Sequence, residues 1–337
     1  MLPPERIAQE PLADRDASRL LVLDRRSGTN RHHVFRDLPD LLRPDDLLVV
    51  NRSRVFPARL LGKRPGSGGR VEVLLLRPVD EANEWEALLR PGRRLKSGDG
   101  VRIGADLSVV VVSEASGADA RRRVRLEAEG DIWDAIERRG HTPLPPYITR
   151  PDRPEDRARY QTVYAREQGS VAAPTAGLHF TPALLERLAA RGIERAELVL
   201  HVGPGTFRPV KVDDVEDHRV DPEPFVIPDE TADKIAAARH RGRRVVCVGT
   251  TTVRALETRA RADGSVEAGA GETDCVIVPG FRFKATDAVI TNFHLPRSSL
   301  LLLVAAFAGR ERVLAAYAEA VRLGYRFYSY GDAMLIE

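Results

Sequence analysis

Between about Lys63 and Glu129 the chain changes periodicity, and that change limits the folds open to it. Residues 71–76, 85–89, 101–103, 107–112 and 124–126 are short apolar runs rich in β-formers, separated by Gly, Pro, Asp and Ser. Runs at such short intervals predict a small all-β barrel or sandwich. The glycine-rich stretch 66–69 is a turn rather than a phosphate loop, because no Lys-Ser/Thr follows it. On either side the texture is different. Strands are expected at 18–23, 46–50, 197–202, 243–248, 275–278 and 288–291. Helices are expected from Thr181-Pro182 up to Gly192, at 230–239, at 253–262 and at 313–323. Alternation of this kind favours a covered, largely parallel sheet. The expected plan is an α/β body, residues 1–62 plus 131–337, interrupted by an inserted β-barrel at 63–130.

At 337 residues the chain has room for about two domains, and a core of this size needs no disulfide framework. Its two cysteines, Cys247 and Cys275, show no metal-ligand spacing and read as core thiols of a reducing compartment. The longest apolar run, 300–308, is far short of the roughly 18–20 residues that span a bilayer. The start, Met1-Leu-Pro-Pro-Glu-Arg6, lacks the cationic and apolar segments of a secretory leader, so a cytoplasmic protein is expected. A net charge of +3 says little about partners. Local arginine clusters at 93–94, 121–125, 150–159 and 239–244 could neutralise phosphates, or could simply be solvated faces.

Several loops could carry chemistry. Ala172-Ala-Pro-Thr-Ala-Gly-Leu-His-Phe180 feeds a helix, so Thr175 and Gly177 are candidate ligand contacts and His179 a candidate proton carrier. Leu198-Val-Leu-His-Val-Gly-Pro-Gly-Thr-Phe207 has two glycines but no third at Arg208, and Pro209 interrupts any helix. That excludes a dinucleotide or methyltransferase loop, and leaves His201, Thr206 and Arg208 as candidates. Val248-Gly-Thr-Thr-Thr-Val-Arg254 ends a strand and starts a helix, a place where a carboxylate or phosphate would sit against Thr250, Thr251 and Arg254. Asn292 and His294 follow another strand end. Tyr325-Arg-Phe-Tyr-Ser-Tyr-Gly-Asp332 combines aromatics with Arg326, suited either to stacking bases or to a core strand. No zinc spacing, Walker loop or nucleophile elbow occurs.

Taken in order, these strings resemble one family, the S-adenosylmethionine:tRNA ribosyltransferase-isomerases of queuosine biosynthesis. The likeness is carried by Pro3-Pro-Glu-Arg-Ile-Ala-Gln9, Val55-Phe-Pro-Ala-Arg59, Gly140-His-Thr-Pro-Leu-Pro-Pro-Tyr147 and Tyr160-Gln-Thr-Val-Tyr164. It continues through Ala173-Pro-Thr-Ala-Gly-Leu-His-Phe180, Leu200-His-Val-Gly203, Thr291-Asn-Phe-His-Leu-Pro296 and Tyr328-Ser-Tyr-Gly-Asp-Ala-Met334. The resemblance implies an α/β domain carrying an inserted barrel. It also implies transfer of the ribosyl unit of S-adenosylmethionine to 7-aminomethyl-7-deazaguanine at the tRNA wobble position. Epoxyqueuosine, adenine and methionine are the implied products, with S-adenosylmethionine as co-substrate, no other cofactor or metal, and a monomeric enzyme. In that chemistry His179 or His201 would move a proton, with Asp332 as orienting carboxylate. Thr250, Thr251 and Arg254 would hold the methionine carboxylate or a phosphate, Asn292 and His294 the sugar or base, and Arg326 with Tyr330 the RNA. Two departures stand out: Asp221 replaces the second histidine of a Met-His-x-Glu pattern ending at Glu223, and Asn51-Arg-Ser-Arg54 adds positive charge. A non-catalytic RNA-binding relative, or an enzyme acting on a free deazapurine nucleoside, are the alternatives.

Overall fold

The structure, a computed structural model, describes residues 2–79, 83–92, 95–116, 120–207, 210, 212 and 214–337. Arg208 and the Arg93-Arg94 pair therefore lie outside the described residues. The chain forms an α/β body with an inserted, closed six-stranded antiparallel barrel. The barrel is built from β5 (Arg59–Lys63), β6 (Arg70–Pro78), β7 (Glu84–Arg90), β8 (Gly100–Arg102), β9 (Leu107–Val111) and β10 (Arg122–Ala128). Its strands alternate buried and exposed residues, as a barrel with a side-chain-filled interior requires. Helix α2 (Ile132–Arg139), capped by the Asp131 carboxylate on the Asp134 amide, follows the last strand. Trp133 from that helix meets Trp85 and Phe56 at ring-centroid distances of 5.0 and 5.6 Å. Phe56 and Val171 share this cluster, so the barrel core continues into the body.

The body is organised on a nine-stranded sheet. Its members are β1 (Arg19–Leu23), β2 (Asn30–Val34), β3 (Leu47–Asn51), β12 (Glu194–Leu200), β13 (Glu223–Ile227), β14 (Val245–Val248), β15 (Gly269–Thr273), β16 (Ala288–Asn292) and β17 (Ala333–Ile336). They run in the order β15-β13-β12-β3-β14-β16-β17-β1-β2. The expectation of a largely parallel sheet needs correcting. The four central strands β12, β3, β14 and β16 are mutually parallel, as are β17 and β1, but the other four ladders are antiparallel. A short parallel pair, β4 (Ser53–Val55) with β11 (Glu167–Ser170), leans against the body.

Both faces of the sheet are covered, which is why its central strands read as unbroken apolar runs. Leu47 and Val49 point to one side, where α5 (Asp229–His240), α6 (Thr250–Arg259), α7 (Ser299–Ala308) and α8 (Arg310–Arg322) pack. Leu48 and Val50 point to the other, against α1 (Leu38–Leu41) and α4 (Pro182–Ala190). Helix α3 (Asp156–Arg159) lies in the connection before β11. Helix α4 starts as its sequence predicts, with Thr181 Oγ1 accepting from the Leu184 amide and Pro182 in the first turn. The expected strand at 275–278 forms no ladder. Pro279 follows it, and the carbonyl of Cys275 accepts from Arg254 instead of from a strand.

Candidate active site

The parallel strands β3, β12, β14 and β16 end together on one side of the sheet, and ligands in open α/β sheets bind beyond such carboxyl ends. Two adjoining clefts open there. The larger, 340 Å³, lies between the barrel residues Leu76, Glu86 and Arg121 and the body residues His201, Thr206 and Glu223. The smaller, 50 Å³, lies over the start of α6 and the end of β16. Val202, Thr206 and Leu300 line both.

The smaller cleft is polar at its floor. Gly249, with φ +92°, turns the chain from β14 into α6, a conformation that L side chains resist. No side chain caps the helix, whose first residues Thr250 and Thr251 line the cleft, so its first-turn amides have no side-chain partner there. Thr250 and Thr251 are buried there, and the Thr251 hydroxyl has no partner. Asn292, at the end of β16, directs Nδ2 at His179 Nε2 (3.0 Å) and at the Tyr328 carbonyl (3.2 Å), leaving Oδ1 buried and unpartnered. His179 stands behind it. Its Nδ1 meets Ser18 Oγ at 2.8 Å, and burial holds its pKa down to about 3. Since Nε2 accepts from the asparagine, the proton sits on Nδ1 and the ring is neutral. His294 is likewise held down to about 3 by burial, with Nε2 2.7 Å from Thr291 Oγ1. Tyr147 and Tyr328, stacked at 4.5 Å, form one wall.

The larger cleft is organised by a buried ion pair. Arg254 donates to Glu223, and its remaining nitrogens reach the Cys275 and Thr273 carbonyls at 2.9 and 3.1 Å. The other Glu223 oxygen accepts from the Gly203 amide (2.8 Å) and the Thr206 hydroxyl (3.1 Å), which shapes the loop after β12. His201 starts that loop. Its ring lies so close to Gly169 (φ +141°) that a Cβ there would sit 2.9 Å from His201 Cε1. Its Nδ1 is buried without a partner, and burial lowers its pKa. At the mouth Arg121 of the barrel pairs with Asp221 of the body. Glu86 joins Arg121 to Arg77 at 3.5 and 3.1 Å, and Arg77 reaches Glu272 of the body at 3.3 Å.

Of the residues singled out in the sequence, Thr175, Thr206, Thr250, Thr251, Asn292 and His294 meet at the smaller cleft, and His201 and Arg254 at the larger. The other described ones lie elsewhere. Gly177 is a packing glycine, since a Cβ would overlap the Tyr164 hydroxyl. Asp332 accepts from the backbone amides of Arg19 (2.9 Å) and Arg326 (2.8 Å). Tyr330, 4% exposed, packs against Tyr160 and donates to Asp156 at 3.1 Å, while Arg326 donates to the Glu10 carbonyl. These rings offer no open face to an RNA base. Ser18, Tyr147, Gln168 and Glu223 belong to the site but were not singled out. Glu223 carried a signal, as the end of the altered Met-His-x-Glu pattern, whereas Ser18 carried none. Among the described residues no cluster of three His, Cys, Asp or Glu side chains is placed to hold a metal, and no helix is long and apolar enough to cross a membrane.

A family model described as "Queuosine biosynthesis protein" matches residues 1–336. A protein of Moorella thermoacetica named S-adenosylmethionine:tRNA ribosyltransferase-isomerase is 56% identical over 99% of this chain and 97% of its own. One of Heliobacterium modesticaldum with the same name is 55% identical over the same shares. Among solved structures, the S-adenosylmethionine tRNA ribosyltransferase of Thermotoga maritima is similar at a TM-score of 0.57. It shares 41% identity and covers 100% of this chain and 98% of that one. The names of these relatives fit neither alternative, the non-catalytic RNA binder or the free-nucleoside enzyme.

Proposed function

The chain belongs to the queuosine biosynthesis protein family, and we propose that it is an S-adenosylmethionine:tRNA ribosyltransferase-isomerase that works in the paired clefts at the barrel–body junction. The substrates are S-adenosylmethionine and a tRNA carrying 7-aminomethyl-7-deazaguanine at the wobble position. The ribosyl unit passes to the aminomethyl nitrogen and rearranges to the epoxycyclopentane of epoxyqueuosine, with adenine and methionine leaving. The sulfonium acidifies the adjacent C5′ protons, so a neutral base near that carbon opens the sequence. His201 fits the role better than His179: it lines the 340 Å³ cleft, whereas both nitrogens of His179 are engaged away from that cleft. Burial keeps His201 unprotonated at neutral pH, as a base requires. The Thr206 hydroxyl donates to Glu223, which leaves the lone pairs of its oxygen to accept from a sugar hydroxyl.

The observation that carries this reading is 56% identity over 99% of the chain to a protein of that name, together with two adjoining clefts at the strand ends. Purified protein given S-adenosylmethionine and the modified tRNA should release adenine, followed by chromatography. Neither the unmodified tRNA nor the free deazaguanine nucleoside should support release. Release with the free nucleoside would mean that RNA is not required, and no release with any of the three would reject the activity.

A further inference from the structure

We infer that the smaller cleft binds the amino-acid end of S-adenosylmethionine as a zwitterion, its ammonium on Asn292 Oδ1 and its carboxylate on the first-turn amides of α6 and the Thr251 hydroxyl. This rests on the reading above that S-adenosylmethionine is the substrate. The orientation of the Asn292 amide follows from its neighbours. The Tyr328 carbonyl can only accept, so Nδ2 must face it, and the second Nδ2 hydrogen goes to His179 Nε2. Oδ1 is then a buried acceptor with nothing to accept from, on a residue that lines the cleft and is 2% exposed. A buried acceptor left unpaired has given up its hydrogen bonds to water with no replacement, so the arrangement calls for an N–H or O–H donor from a ligand.

The second observation lies one strand away. Val248 pairs with Ile290 in the parallel β14–β16 ladder, so the start of α6 and Asn292 stand side by side, about 4.8 Å apart in the sheet direction. The ten-residue helix α6 presents uncapped amides and the positive end of its dipole, and Thr251, 5% exposed, adds an unpartnered hydroxyl. A donor-seeking oxygen next to an anion-seeking helix end matches an α-ammonium beside its own carboxylate.

Charge and size argue the same way. Among the described residues no Lys, Arg, Asp or Glu lines this cleft, and His294 is neutral, so this surround suits a ligand group with no net charge rather than a phosphate. Its 50 Å³, against 340 Å³ next door, is small for a purine. The nucleoside then lies in the 340 Å³ cleft, with the sulfonium near Val202, Thr206 and Leu300, which border both spaces. His179 is a positioning residue in this arrangement. With its proton fixed on Nδ1 by Ser18, its Nε2 keeps the Asn292 oxygen turned toward the ligand.

Calorimetric titration of the full chain, without tRNA, tests this with three ligands: S-adenosylmethionine, its decarboxylated form and 5′-methylthioadenosine. The wild type should bind S-adenosylmethionine at least tenfold more tightly than either of the others. Asn292→Ala and Thr251→Val should each weaken S-adenosylmethionine tenfold or more, with 5′-methylthioadenosine unchanged within twofold. His179→Ala should act like Asn292→Ala. His179→Gln, which can both accept from Asn292 and donate to Ser18, should restore most of the loss. Variants that weaken both ligands equally, or neither, would overturn the assignment. So would equal wild-type affinity for S-adenosylmethionine and its decarboxylated form, a comparison that needs no variant to fold. Adenine release by the wild type separates the two levels: turnover without this binding pattern rejects the subsite alone, and absent turnover rejects the functional reading.

Discussion

At His179 both ring nitrogens are engaged by Ser18 and Asn292, and at His294 one is engaged by Thr291. Burial pushes both down from 6.5 to about 3, and His201 shifts the same way. The unfolded chain therefore binds protons below about pH 6.5 that the native protein refuses. Stability rises with pH across that window and is lost as the solution is acidified. The slope is about 1.4 kcal/mol per pH unit for each such histidine. Urea denaturation at pH 7.5, 6.0 and 5.0 should show midpoints falling steadily, and His294→Gln should flatten the fall. A midpoint constant between pH 7.5 and 5.0 would mean that these rings are protonated in the folded state. Asn292 and His294 were legible as polar residues at a strand end. The orphaned Asn292 oxygen was not, because it depends on Tyr328, 36 positions on, and on a histidine whose own proton is set by Ser18, 161 positions away.

Helix α6 shows the same limit among elements. The sequence reading begins it near Val253, since three β-branched threonines mask its first turn, yet it starts at Thr250 and thereby brings its first residues to the cleft. Arg254, expected to meet a ligand, instead holds Glu223, and through it Gly203 and Thr206. Removing one partner of a buried pair leaves an uncompensated charge, worth about 3–5 kcal/mol. Arg254→Ala should lose that much in urea unfolding, and adding Glu223→Gln should recover a large part. A loss below about 1 kcal/mol would return Arg254 to the role of free, ligand-binding cation. Strands rich in Val, Ile and Leu were legible. Strand β15, Gly269-Ala-Gly-Glu-Thr273, was not, because its pairing with β13 rather than its composition makes it a strand. Strand β17 had the apolar character but not the direction: nothing in Ala333–Ile336 announces that it runs antiparallel to β16 and parallel to β1.

Over the whole molecule, the β-rich insertion and the strand–helix body were visible as a change of period, and the closed barrel and nine-stranded sheet follow from it. How the two meet was not visible. The meeting depends on Phe56 and Val171 entering the Trp85–Trp133 cluster, and on charges that alternate across the cleft mouth from Asp221 through Arg121, Glu86 and Arg77 to Glu272. Asp221, the residue that departs from the family pattern, is thus engaged by the barrel. The cleft framed this way measures 340 Å³ and adjoins the 50 Å³ space over the start of α6. Dual-labelled S-adenosylmethionine, tritiated in the ribose and carbon-14 labelled in the S-methyl group, puts that account to its most direct trial. After incubation with the aminomethyl-deazaguanine tRNA and nuclease digestion, tritium should co-elute with one modified nucleoside while carbon-14 stays with free methionine. Carbon-14 in the nucleoside, or no tritium in the RNA, would contradict it.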